Sequence, residues 1–291
     1  MKDKFSKDPL GERMKSQYEV RSRQLLPRRT YTIIRLDGKA FHTYTRGLKK
    51  PFDGDLIDDM DNAVVNILPE IQGAQFAYVQ SDEISILLTD FAKENTDAWF
   101  DGNVQKMVSV SASLMTAEFN LLRIKRQMNS AEESRKQLES LVGVGNACCQ
   151  RYPKELAYFD SRVFTIPDRV EVMNYFIWRN NDAARNSISM VAQSLYSHKE
   201  LHGKSSIDKQ EMLFQKGINW NSYIKSLKNG RLIVREEYRR EEYRADSLSG
   251  EINLSDGKPS EPMMRTKWVV KAADKFTQVK DSLLNMIPEY E

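Results

Sequence analysis

Thr32-Ile33-Ile34-Arg35-Leu36-Asp37-Gly38-Lys39-Ala40-Phe41-His42 begins as an apolar run and ends on a carboxylate, a glycine and a polar turn. Its counterpart is Ala77-Tyr78-Val79-Gln80-Ser81-Asp82-Glu83-Ile84-Ser85-Ile86, where two apolar runs flank Ser81-Asp82. Both patterns read as strands that deliver an aspartate to a sheet end. A carboxylate followed by glycine can share a hard cation with a backbone carbonyl. A second carboxylate from a neighbouring strand completes an oxygen-rich site suited to Mg²⁺. Asp37, the Gly38 carbonyl and Asp82 are the expected metal ligands. Such sites serve phosphoryl and nucleotidyl transfer, where two metals clamp the attacking and leaving oxygens. Glu83 follows Asp82 in a strand, so its side chain faces the other way. That leaves it either an auxiliary catalytic acid or a surface residue.

The elements around these strands set the topology. Tyr31–Leu36 is the first predicted strand. Residues 54–68 follow as a helix, with Leu56, Ile57, Met60, Ala63, Val64, Ile67 and Leu68 on one face and Pro69 at its stop. Phe76–Gln80 and Glu83–Leu88 are the next strands. Residues 103–122 form a second amphipathic helix, 123–140 a polar helix extension plus loop, and Tyr158–Ile166 a fourth strand stopped by Pro167. The order β-α-β-β-α-β is the split βαβ plan, an α+β, ferredoxin-like antiparallel sheet with helices on one face. It is also the plan of polymerase palms and nucleotide cyclases. Beyond it, helices are expected over about 168–180, 182–199 and 208–216, with Gly217 closing the last. A C-terminal hairpin completes the elaboration. Arg235-Glu236-Glu237-Tyr238-Arg239 is nearly repeated at 240–244, too briefly for a repeat architecture. Residues 246–263, rich in Ser, Gly, Asp and Pro, read as a loop. No linker divides the chain. One catalytic domain is expected, its palm core over about 29–167 and its elaboration over 168–291.

With 291 residues, 40% of them apolar, the chain can bury a sizeable core. No stretch approaches the ~18 consecutive apolar residues of a membrane span, and the start has no apolar signal segment. Cys148 and Cys149 are adjacent and offer neither a disulfide framework nor a zinc spacing. A cytoplasmic protein without a membrane partner is the expectation. The net charge of +3 says little about partners. Its distribution says more, because residues 1–29 carry nine Lys/Arg against four Asp/Glu. That end is either a phosphate-tracking segment or a solvated basic terminus.

The turn Gly38-Lys39-Ala40-Phe41-His42 can wrap a triphosphate with its backbone N–H groups. Lys50, just before the first helix, suits a phosphate near a positive helix end, and Lys106 is placed similarly on the second helix. His198 and His202 read as solvated residues near a helix end.

These blocks resemble the tRNA-His guanylyltransferase family of 3′–5′ polymerases. The resemblance runs in order through Arg35–His42, Lys50–Asp53, Gln80–Glu83, Phe159–Val163, Trp178–Asp182, Lys209–Phe214 and Gly217–Asn221, spanning about residues 10–235. It implies a palm-like fold, two Mg²⁺ ions and nucleoside triphosphate substrates, GTP and ATP among them. It implies metal ligation by Asp37, Gly38 and Asp82. Nucleotide contacts are implied at Asp37, Gly38, Lys39, Ala40, Phe41, His42, Ser81 and Asp82, and triphosphate or substrate contacts at Lys50, Lys106, Asn186, Lys209 and Asn219. The family's partner is tRNA, and a homotetramer is implied. One block departs. Members dedicated to tRNA-His carry His-Ile-Asn-Asn where this chain has Ala184-Arg185-Asn186-Ser187. The departure resembles bacterial, archaeal and phage-type like proteins, which repair truncated tRNA 5′ ends against the opposite strand. Template-dependent addition at a tRNA 5′ end is the expectation. Dedicated addition of G to tRNA-His, a cyclase-like nucleotide enzyme and a non-catalytic RNA-binding protein are the alternatives.

Overall fold

A computed structural model describes residues 8–142, 156–240 and 263–290. The elements in chain order are α1 (Pro9–Met14), β1 (Tyr31–Gly38), α2 (Phe41–Tyr44), α3 (Gly54–Ile67), β2 (Ala74–Gln80), β3 (Glu83–Leu88) and α4 (Val104–Val142). They continue as β4 (Phe159–Ile166), α5 (Arg169–Gln193), α6 (His198–Leu201), α7 (Ser206–Gln215), α8 (Lys225–Asn229), β5 (Arg231–Arg240), β6 (Met263–Ala272) and α9 (Lys280–Met286). One antiparallel sheet has the strand order β4-β1-β3-β2-β5-β6. Its first four places are those of the expected ferredoxin-like plan. The C-terminal hairpin adds to the β2 edge, where Phe76–Val79 pair with Arg231–Val234.

The central strands β1, β3 and β2 are buried on both faces. Ile34, Leu36, Ala77, Val79, Ile84 and Ile86 point toward α3 and α4, packing with Met60, Val64, Met115 and Phe119. Tyr31, Ile33, Phe76, Tyr78 and Leu87 point the other way, onto Val172 and Phe176 of α5 and onto Phe276 and Leu283. Burial on both sides is why β2 and β3 read as nearly continuous apolar runs rather than alternating ones. The two palm helices share a face, as expected, and α5 closes the opposite one.

Helix starts follow their caps. The Asp53 side chain accepts from the Leu56 N–H at 2.8 Å and fixes the start of α3. Ser205 and Asp208 form a capping box at α7, and Gly217, at φ +76°, follows its end. The second palm helix runs on to Val142, through the whole of the 123–140 stretch read as extension plus loop. The expected break near residue 181 is absent, because α5 is one 25-residue helix. Asn180 is not a terminator there. It is buried, its amide donates to the carbonyls of Asn229 (2.8 Å) and Asp274 (3.1 Å), and its oxygen accepts from the Phe276 N–H (3.0 Å). The chain leaves helix after Gln193 and restarts at the Ser197 capping box. The first copy of the near-repeat lies in β5. Residues 241–244 of the second copy, nearly all of the 246–263 loop, and both cysteines fall outside the described residues. Among the described residues no helix is long and apolar enough to cross a membrane.

Candidate active site

The ends of β1 and of the β2–β3 turn meet as the sequence predicts. Ser81 adopts a left-handed φ of +48° and folds the turn. The Gly38 N–H then donates to the Asp82 carbonyl at 3.2 Å, joining the turn to the end of β1. Glycine is required here by proximity rather than by its dihedral angles. A Cβ at residue 38 would lie 2.3 Å from Phe41 Cδ2 and 2.9 Å from Asp82 Oδ2. Phe41 is anchored among Tyr44, Phe119 and Phe159, with ring centroids 5.0, 5.8 and 5.5 Å away. Ala40, at φ +51°, turns the chain so that Phe41 can start α2.

The two carboxylates differ in surroundings. Asp37 is a register partner of Glu83 and of Asp160. Its Oδ2 lies 3.9 Å from Arg35 and 3.7 Å from Arg162. Asp82 is pushed up to about 6, chiefly by burial. The hydrogen bond from Ser81 opposes that, while the negative charges of Asp37 and Glu83 add to it. Asp82 is therefore a carboxylate held mainly by burial in a setting that disfavours its charge. Glu83 is neither a surface residue nor turned toward Asp82. It is buried and accepts from Arg35 at 2.5 Å, Arg179 at 2.9 Å and Gln80 at 3.1 Å. Among the described residues no three Asp, Glu, His or Cys side chains gather as a ligand set. What the fold brings together is two carboxylates beside one backbone turn.

A cavity of about 550 Å³ opens from this turn and is lined by Gly38, Ala40, Phe41, His42, Lys50, Ser81, Asp82 and Asn186, among others. A second, of about 310 Å³, shares Ser81, Asp82 and Asn186 and adds Asp37 and Glu83. Most of the expected nucleotide contacts thus converge. Others do not. Lys39 is exposed beside the Tyr158 ring, and Lys106 lies over Phe100 at the start of α4. Lys209 donates to Ser189, a wall residue of the second cavity, at 3.0 Å. Asn219 lines a separate hollow of about 290 Å³ and caps the backbone at Asn221.

Sequence reasoning missed the cationic support. Arg35 sits two residues before Asp37, and strand alternation could have placed both on one face. Arg179 and Asp182 are three apart on α5, in bonding reach at 2.7 Å. Asp182 also accepts from Arg185 at 3.0 Å and from Asn186 at 3.3 Å. Arg231, buried against Asp61 at 2.7 Å, and Lys49 join the wall of the larger cavity without any warning in the sequence.

Comparison with known proteins accords with this geometry. A family model described as tRNAHis guanylyltransferase matches residues 11–167. The tRNA(His) guanylyltransferase of Debaryomyces hansenii is 32% identical over 238 residues, which cover 76% of this chain and 78% of that protein. A bacterial tRNA(His) guanylyltransferase-like protein solved with ATP superposes with a TM-score of 0.74 at 35% identity, covering 96% of this chain and 99% of its own. A structure of such a protein with GTP gives 0.70 at 34% identity over the same shares. The tRNA(His) guanylyltransferase of Saccharomyces cerevisiae shares the fold at 24% identity, with a TM-score of 0.56 over 75% of this chain. This chain belongs to the tRNA-His guanylyltransferase family and is a nucleotidyltransferase.

Proposed function

We propose that this enzyme adds nucleotides to the 5′ end of tRNA in the 3′–5′ direction, choosing them by pairing with the opposite strand. The observation that carries the chemistry is the junction of Gly38 with Asp82. There Gly38 and Asp82 line a cavity of about 550 Å³, room enough for a nucleotide, and Asp82 and Asp37 line the smaller one beside it. The donor set fits Mg²⁺, which binds through one or two carboxylates and keeps places for water and substrate phosphates. Burial disfavours the charged form of Asp82, and a bound cation would offset that cost. Asp37, Asp82 and the Gly38 carbonyl would hold the metal. When bound, Mg²⁺ supplies charge neutralisation on phosphate oxygens and acidifies the attacking hydroxyl.

The chain's own residues bind and orient. The Gly38–His42 turn and Ser81 offer backbone and hydroxyl groups to a triphosphate, and Lys50 adds a cation. Asn186 lines both cavities. A 5′-monophosphate end is first joined to AMP from ATP, releasing pyrophosphate. The 3′-hydroxyl of the incoming nucleotide then attacks that 5′ phosphate and expels AMP. A 5′-triphosphate end skips activation and loses pyrophosphate instead.

Repair of truncated ends is favoured over dedicated addition to tRNA-His by the Ala184-Arg185-Asn186-Ser187 block. Ala184 offers no ring donor or stacking surface to an RNA end. The test compares kcat/KM with GTP for a truncated 5′ end opposite C and for full-length tRNA-His opposite A. A higher value for the truncated end is expected. A clear preference for full-length tRNA-His would restore the dedicated reading. A tetramer is also proposed, since one tRNA is larger than this site. Light scattering would show it, and a fully active monomer would contradict it.

A further inference from the structure

Trp178 stands on α5 with 49% of its surface exposed, an unusual place for the largest side chain. It is nonetheless held rigidly. The Arg179 guanidinium carbon lies 3.8 Å from the centroid of its ring, and the Tyr175 ring meets it edge-on at 5.9 Å. Arg179 is itself fixed. It is 3% exposed, with Nη1 donating to Glu83 at 2.9 Å and Nη2 to Asp182 at 2.7 Å. One guanidinium thus carries the indole on its face and Glu83, the neighbour of Asp82, on its edge. Arginine is suited to both at once, being planar and forked. The indole is therefore held against a guanidinium that itself bonds Glu83.

Trp178 lines neither the cavity of about 550 Å³ nor that of about 310 Å³. A nucleoside triphosphate held there leaves the indole free for something else. Trp178, Asp182, Arg185 and Ser189 follow at spacings of four, three and four, which is one face of a helix. Arg185 is 54% exposed at its side chain, and Lys209 reaches Ser189 at 3.0 Å. The stripe is a rigid aromatic plane followed by two cations over roughly 16 Å of helix. That is the composition of a strand-binding track, where bases stack on aromatics and phosphates meet Lys and Arg.

We propose that Trp178 is the stacking platform for an unpaired nucleobase of the tRNA strand opposite the 5′ end that reaches Asp37 and Asp82, with Arg185 and Lys209 on its phosphates. The inference rests on the reading of those carboxylates as the transfer site. Stacking tolerates any base, so it adds grip without competing with template pairing for the choice of nucleotide. Trp178 is a binding residue here and takes no part in the chemistry.

Equilibrium binding of a 5′-truncated tRNA, and separately of GTP, is measured on the whole protein with Trp178→Ala, Trp178→Phe and Arg185→Ala. Trp178→Ala is expected to weaken tRNA binding about tenfold to a hundredfold, with Trp178→Phe recovering most of it. GTP affinity stays at the wild-type value in both, and Trp178→Phe keeps the wild-type Tm. Arg185→Ala weakens binding uniformly across tRNA sequences and lowers the salt slope by about 1. Wild-type tRNA affinity in Trp178→Ala, with 5′ extension intact, overturns this inference alone. Joint loss of tRNA binding, GTP binding and Tm in both Trp178 variants also overturns it, since the ring would then be structural. A wild-type protein that binds no tRNA overturns the functional reading together with the inference.

Discussion

Asp82 carries a cost that only its function explains. Its folded pKa of about 6 lies above the ordinary 3.8, so the native state binds more protons than the unfolded chain between those values. Stability therefore falls as pH rises through that window. In metal-free buffer, Asp82→Asn should gain on the order of 1–2 kcal/mol over wild type at pH 7.5, after allowing for its partial exposure. The gain should vanish below about pH 4, where both carboxyls are protonated. Urea titrations at the two pH values measure it, and an Asp82→Asn variant less stable than wild type at pH 7.5 would contradict the account. Gly38→Ala makes the opposite prediction. Its methyl meets the Phe41 ring at 2.3 Å and the Asp82 carboxylate at 2.9 Å. Overpacking of that kind costs about 1–3 kcal/mol, and displacing Asp82 should lower nucleotide addition by roughly 10²-fold. An active Gly38→Ala variant of wild-type Tm would show that the close approach is not needed.

Elements hold these residues in place through packing and through buried ion pairs. Asp59 of α3 is buried and accepts from Arg123 of α4 at 2.9 Å and from Arg126 at 2.7 Å. Removing Arg123 with Ala strands part of that charge and should cost about 3–5 kcal/mol. Replacing both partners, as in Asp59→Leu with Arg123→Met, should cost far less, because no charge is left alone. Denaturant midpoints decide it. Equal losses in both variants would mean that packing volume, not charge, binds the two helices. The four palm strands and α3 were legible from apolar runs and helical spacing, because these are local signals, whereas α7, read from 208, starts at Ser206 behind its Ser205 cap. The continuity of α5 was not legible. Asn180, inside that helix, is fixed by three backbone partners from residues far along the chain.

At the scale of the whole molecule the same division appears. Asp37, Gly38 and Asp82 were legible because strand ends and turn residues are written in consecutive positions. The support for Glu83 was not, since Arg35, Gln80 and Arg179 converge from two strands and a helix. Glu83, left open as an acid or a surface group, proves to be the hub of that network. Lys50 and Asn186 meet across the cavity although 136 positions separate them, while Lys39, Lys106 and Asn219 stand apart from it. The fold follows from local pattern, and the site follows only where local pattern ends at the same sheet edge.

The central claim is that Asp37 and Asp82 together hold the Mg²⁺ that drives nucleotide addition. Its most direct test is single-turnover extension of a 5′-labelled, 5′-truncated tRNA with ATP and GTP across a Mg²⁺ titration. Wild type is compared with Asp37→Asn and Asp82→Asn, after circular dichroism has shown each to be folded. Both variants should be folded and should fail to extend the tRNA at any Mg²⁺ concentration. Wild-type extension in either one, with an unchanged Mg²⁺ dependence, would contradict the assignment.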